Sequence, residues 1–310
     1  MAEAPRPPIY DSHAHLVSDD PVRYPRKNIP YLPRPDGKPK IVTPGTIGVP
    51  GGMHGPNPVN EKPTAEQIRK WMAEEGVVGI AAVQKGRIYG TDNSYIMDAA
   101  ELFPDCMRAV IIVDPMEENT FSLMREGARR GIAGIRFFPA NIWDTAGWLK
   151  STESAAVWQL ADELGLVVDV EGPKEDWRET MAVIVDYADR FPNLRIVLDH
   201  LYSPVVTDPQ FGIDSRYDSL AARDNITYKF TCLNMDAIRE RGVKPEEVLR
   251  RAVDFYGADK VMWGSDIGTS SGTYKEMVSR AIDSTSLLND EERRKVLHDT
   301  GRRIFTGWTG

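Results

Sequence analysis

Two of the five histidines, His13 and His15, stand two residues apart at the end of a short apolar stretch entered through Pro7 and Pro8. On a strand, residues i and i+2 share a face, so His13, His15 and the preceding Asp11 are expected to project together. Three groups able to ligate a metal or move protons would then line one side of one strand. The competing expectation is a strand end whose histidines are ordinary surface or core residues, and this stretch alone does not separate the two.

What positions these residues is read from the rest of the chain. From Thr64, an N-cap threonine, a helix runs to about Glu75, and Gly76–Val83 follows as a buried strand. The alternation recurs. Strands are expected at Met107–Asp114, Ile132–Phe138, Leu166–Glu171, Leu194–His200, Ile226–Thr231 and Lys260–Ser265, with amphipathic helices at Ser154–Leu164, Trp177–Arg190 and Lys244–Tyr256. With Ile9–His13 this makes eight strands, mostly unalternating Val/Ile/Leu runs, as in parallel sheets covered on both faces. Eight β/α units point to a single α/β domain over residues 1–310, a (β/α)8 TIM-type barrel. A doubly wound open sheet is the runner-up, but no GxGxxG follows any strand. Residues 19–63 break the rhythm with many Pro and Gly and are expected to form a long insertion after strand 1, a loop over the mouth of the site with His54 at its centre.

The barrel expectation predicts position, because catalytic groups sit at the C-terminal ends of barrel strands. Those ends carry His13 and His15, Gln84, Asp114, Arg136, Glu171, His200, Lys229 and Asp266. Buried charge is costly unless paired or used, so a full ring of ionisable strand ends is hard to explain by packing alone. His298, in an expected helix Asp290–Ile304 far from any strand end, reads as a surface or capping residue.

Composition narrows the class of function. Hydrophobic residues at 41% and charged ones at 27% suffice for a large core, so wholesale disorder is excluded. A net charge of −8 without a basic stripe argues against nucleic acid and anionic membranes, leaving a small-molecule substrate as the default partner. Cys106 and Cys232 are too few for a disulfide framework and lack CxxC spacing, which fits a reducing, cytoplasmic setting. Neither a signal-peptide core nor a membrane-length apolar run is read. Assembly as a homo-oligomer stays open.

Taken in order, Asp11–His15, Asp20–Pro25, Val83–Asn93 including Tyr89 and Asp92, Gly134–Phe137, Leu198–His200, Tyr228–Thr231 and Met262–Asp266 resemble the amidohydrolase superfamily. The likeness is to its amidohydrolase-related branch, which contains 2-pyrone-4,6-dicarboxylate lactonase and sugar-lactone hydrolases. The resemblance spans nearly the whole chain. It implies a hydrolase opening a lactone or related ester of a small carboxylated or polyhydroxylated substrate, with Asp266 as general base toward water. It further implies that His13, His15 and His200 polarise the carbonyl or hold a metal that does so. Arg136 offers a fork of donors suited to a substrate carboxylate, Lys229 adds positive charge, and Gln84, Tyr89 and Glu171 are further candidates for the substrate. The alternative in the same superfamily is a metal-dependent decarboxylase or hydratase of an unsaturated carboxylic acid.

Two departures bear on this. Metal-dependent relatives end strand 5 in a histidine, where this chain has Glu171, and no lysine ends strand 4 to form the carbamate of binuclear members. The expectation is therefore at most one divalent ion, zinc or manganese, on His13, His15, Glu171 and Asp266, or a metal-free site in which Glu171 pairs with Arg136 or a histidine. No organic cofactor is expected. Gly268 and Ser270–Gly272 replace the aromatic residue and proline common after Gly-Ser-Asp, which suggests a more open rim at strand 8.

Overall fold

The computed structural model describes residues 7–30, 32, 62–171 and 176–307. Eight strands, β1 (Ile9–Ala14), β2 (Val77–Val83), β3 (Met107–Ile112), β4 (Gly134–Phe137), β5 (Val167–Val170), β6 (Ile196–Leu198), β7 (Ile226–Thr231) and β8 (Val261–Gly264), pair in parallel in sequence order. The sheet curls until β8 meets β1. The Asp266 N–H donates to the His13 carbonyl (2.7 Å), the His15 N–H donates to the Ile267 carbonyl (3.2 Å), and Ala14 bridges Ile267. The chain is a (β/α)8 barrel.

The reason is visible in the side chains. Val83, Val110, Val167, Val197 and Met262, one from each of five strands, pack with Tyr10, Ile304 and Phe305 into an apolar plug inside the barrel, while a larger cluster joins the strands' outer faces to the helices. Burial of this kind contributes roughly 25 cal/mol per Å2 of apolar surface, so strands apolar on both faces are stable only when covered on both. Local signals set the helix ends. Helix Ala65–Glu75 opens with a capping box in which Thr64 accepts from the Gln67 N–H (3.2 Å) and Gln67 Oε1 accepts from the Thr64 N–H (2.9 Å), and it stops at Gly76, whose φ is 71°.

Helix Trp177–Arg190 and strand Ile226–Thr231 fall where expected, but several strands are shorter. β6 ends at Leu198 because His200, Leu201, Tyr202 and Ser203 all take positive φ, which turns the chain out of the sheet. The expected helix Asp290–Ile304 is interrupted by a π-helical turn at Lys295–Asp299. That turn corrects the expectation for His298, which is buried rather than at the surface, with Nδ1 2.7 Å from the Asp299 carboxylate. Most of the 19–63 insertion, His54 included, lies outside the described residues. Among the described residues no helix is long and apolar enough to cross a membrane.

Candidate active site

The first strand departs from simple alternation. Its register against β2 shifts between Asp11 and Ala14, so Asp11 does not share the face of the two histidines. Its carboxylate instead accepts from the backbone N–H groups of Ser265 (2.8 Å) and His13 (3.1 Å) and from the Tyr274 hydroxyl (3.1 Å) of an outer helix. Burial raises its pKa to about 6 against the pull of these hydrogen bonds. Asp11 is thus a clamp between β1 and β8. Gly264 completes the seam, since a Cβ there would lie 2.6 Å from the His13 Cβ.

His13, His15 and Asp266 do converge. Asp266 Oδ1 lies 3.2 Å from His15 Nε2 and 3.7 Å from His13 Nε2, and the two Nε2 atoms are 3.3 Å apart, all buried. Asp266 takes a positive φ of 49°, which turns the chain at the strand end where its side chain meets the histidines. The His15 Nδ1 donates to the Val83 carbonyl (2.9 Å), so in the neutral ring Nε2 keeps its lone pair toward Asp266 and His13. Burial, then the charge of Lys85, lowers the His15 pKa to about 4. Burial alone would raise the Asp266 carboxyl, but its contact with His15 and the nearness of His13 and His200 outweigh it and hold the group well below the usual carboxylate range. Asp266 Oδ2 is buried with no hydrogen-bond partner among the described residues. Two imidazole nitrogens, that of His15 with its tautomer fixed, one ionised carboxylate and an unsatisfied oxygen form a donor set suited to one zinc-class divalent ion.

Beneath this cluster lies a floor of paired charge. Lys229 Nζ hydrogen-bonds the Asp169 carboxylate and His13 Nδ1 (3.0 Å) and forms an ion pair with Asp199 Oδ1 at 3.1 Å. Arg136 donates from Nε (3.0 Å) and Nη2 (2.6 Å) to Asp199 Oδ2. Burial opposes the ionised Asp199, yet Lys229 and Arg136 hold its carboxyl well below its ordinary range, while burial and the charge of Asp199 raise Asp169. His13 Nδ1 also lies 3.2 Å from Asp199 Oδ1, so it can accept from Lys229 or donate to Asp199, and each choice sets whether Nε2 carries the proton. His13, Asp169 and Asp199 also have cation-ligand spacing, but the Lys229 ammonium already stands among them. The expectation that Lys229 meets substrate thus falls on a buried lysine engaged on all sides, and the guanidinium of Arg136 is largely spent on Asp199.

The other predicted residues separate. His200 approaches His13 with ring centroids 5.6 Å apart, and its Nδ1 lies 2.7 Å from Thr231 Oγ1, which itself lies 3.3 Å from Asn234 Oδ1. With the threonine hydroxyl donating onward to Asn234, His200 Nδ1 is the donor to Thr231. Glu171, at the end of β5, is near enough for its charge to act on Arg136 and on Lys85, whose pKa burial lowers to about 8 against the pull of Asp266 and Glu171, but it stands outside the His13–His15–Asp266 group. Gln84 donates to the Asp92 carbonyl, and its buried Oε1 has no hydrogen-bond partner among the described residues. The Tyr89 hydroxyl accepts from the Ser18 N–H (2.9 Å) and so supports the segment after β1, and Asp114 caps its own turn at Met116 (3.1 Å).

Sequence reasoning passed over Asp169, Asp199, Thr231 and Lys85. A carboxylate within Val168–Val170 and one just before His200 were available signals, since an apolar strand does not hold a charge without a partner. Lys85 is one residue beyond the strand end that was read.

The family model described as Amidohydrolase matches residues 10–306. Among solved structures, a protein provisionally named a 2-pyrone-4,6-dicarboxylic acid hydrolase from Pseudomonas putida superposes with a TM-score of 0.66 at 18% identity, over 98% of this chain and 100% of that one. An amidohydrolase from Burkholderia multivorans with bound zinc gives 0.65 at 17%, over 96% and 99%. A 2,6-dihydroxybenzoate decarboxylase complexed with 2,6-dihydroxybenzoate gives 0.61 at 13%, over 96% and 98%. At such identities the structural likeness carries the fold alone. A comparison with curated proteins finds no match.

Proposed function

We propose, starting from the fact that this chain belongs to the amidohydrolase family, that the enzyme is a hydrolase opening a lactone or related ester of a small carboxylated or polyhydroxylated substrate. The observation that carries the reading is the meeting of Asp266 with His13 and His15 within 3.7 Å at the C-terminal ends of β1 and β8. There Asp266 keeps Oδ1 on the imidazoles and leaves the buried Oδ2 for a proton. A water between Oδ2 and the substrate carbonyl attacks carbon as its proton passes to Asp266, the ring C–O bond breaks, and the proton is returned to the departing oxygen. The negative charge on the carbonyl oxygen needs donors. In this reading His200, held at Nδ1 by Thr231 and standing beside His13, is the side chain that faces this oxygen.

His13, His15 and Asp266 would hold the divalent ion, which supplies Lewis acidity toward the substrate carbonyl. Glu171 enters the reading as a charge beside Arg136 and Lys85.

The donor set also favours a second reading, a metal-dependent decarboxylase or hydratase acting on an unsaturated carboxylic acid. Metal analysis of the purified protein, then assay before and after chelation on lactone and on unsaturated carboxylate panels, decides between them. Lactone turnover supports the hydrolase, and its survival after chelation would show that the hydrolase works without the ion. Carboxylate turnover that disappears with the metal and returns with it would replace the hydrolase by the second reading.

A further inference from the structure

Among the described residues, Arg136, Lys229 and Lys85 are the cations at the strand ends around the site, and two are already neutralised: Arg136 by Asp199, and Lys229 by Asp169 and Asp199. Lys85 differs. Among the described residues no carboxylate lies within 4.0 Å of its Nζ, and its hydrogen-bond partner is a neutral group, the hydroxyl of Thr269. The strand topology makes this contact informative. Lys85 follows β2 and Thr269 follows β8, the two neighbours of β1, so the side chain spans the end of β1, near enough to His15 for its charge to act there. The ammonium is close enough to Asp266, Arg136, Lys62 and Glu171 to feel all four charges. A half-buried ammonium that is not paired costs free energy, and an anion delivered to it recovers that cost.

We propose that Lys85 and Thr269 form the subsite that receives a substrate carboxylate, placing the bound molecule between the Lys85 ammonium and the Asp266 carboxylate. A carboxylate oxygen takes the position opposite the Thr269 hydroxyl, accepting from Nζ, and the scissile carbonyl then faces Asp266 on the neighbouring wall. Lys85 is thereby a specificity-determining residue, selecting acids over neutral lactones and esters. The assignment rests on the hydrolase reading only for the identity of the reacting bond; the carboxylate subsite itself is independent of it.

The test uses binding, so that it stands apart from turnover. Calorimetric titration of the intact, chelator-treated protein compares benzene-1,3-dicarboxylate with its dimethyl ester for the wild type, Lys85→Met, Lys85→Arg and Thr269→Ala. Loss of one charge-assisted hydrogen bond is expected to weaken the dicarboxylate about 10- to 100-fold in Lys85→Met. The dimethyl ester should bind as before, Lys85→Arg should retain most of the affinity, and Thr269→Ala should lose a smaller share. Unchanged dicarboxylate affinity in Lys85→Met, equal losses for acid and ester, or no binding of the dicarboxylate to the wild type would each overturn the assignment. Failure of lactone turnover with this binding pattern intact would count against the hydrolase reading alone.

Discussion

Asp266 and His13 are joined twice: the Asp266 N–H donates to the His13 carbonyl at 2.7 Å, and Asp266 Oδ1 lies 3.7 Å from His13 Nε2. The first contact closes the barrel between β8 and β1, and the second assembles the proposed site. One seam therefore serves both, and variants there must be checked for fold as well as for activity.

Asp266→Asn should reduce turnover about a thousandfold, within the range expected for loss of a general base. The amide is nearly isosteric and keeps the backbone bond to His13, so far-ultraviolet circular dichroism and the urea midpoint should stay close to wild type. Activity within threefold of wild type on an identified substrate would remove Asp266 from the chemistry.

Zinc or manganese added to chelator-treated protein should bind at one equivalent. His15→Asn and Asp266→Asn should each weaken that binding by more than about tenfold, because each removes one of three ligands. Stoichiometry and affinity are read by calorimetry, and variants that bind the ion as tightly as wild type would place it elsewhere.

Lys229→Met should destabilise the fold by about 3–5 kcal/mol, since it leaves Asp169 and Asp199 buried without their shared cation. Adding Asp169→Asn should return part of that loss. Denaturant unfolding of the two single variants and the double variant measures the coupling, and purely additive effects would show that the pair does not act as a unit.

The pH dependence of stability should contain, among the contributions of the buried groups, opposing ones of about 3 kcal/mol each from His15 and Asp11. His15 is lowered from 6.5 to about 4, so between these values the unfolded chain binds more protons and stability rises with pH. Asp11 is raised from 3.8 to about 6, so its contribution is complete below 3.8 and is lost as pH rises through 6. Urea unfolding of chelator-treated protein at pH 4.5 and 6.0 should therefore show a steeper rise for Asp11→Asn than for wild type, and a fall for His15→Asn. Parallel profiles for all three proteins would refute these assignments.

Much of the architecture was legible because it follows from short-range rules. Apolar runs with no polar alternation demand cover on both faces, Thr64 and Gln67 cap a helix wherever they lie, and the rule for barrel strand ends led directly to His13, His15 and Asp266. The rule failed at Asp11 because alternation assumes regular pairing, and the shift in β1 register depends on how β2 and β8 lie beside it. It failed differently for Lys229 and Arg136, whose partners come from β5 and from the end of β6.

His298 shows the same division, its burial depending on how the terminal helix packs under β1 and β8. The sequence by itself determined the eight-fold alternation, the family and the chemical types gathered at one end of the barrel. Only the tertiary structure decided which charges neutralise one another and which, like Lys85, keep no carboxylate partner among the described residues. The physical reason is range: side-chain period and capping act over a few residues, whereas ion pairing depends on distances of 3–4 Å between groups that can be two hundred residues apart in the chain, as His13 and Lys229 are.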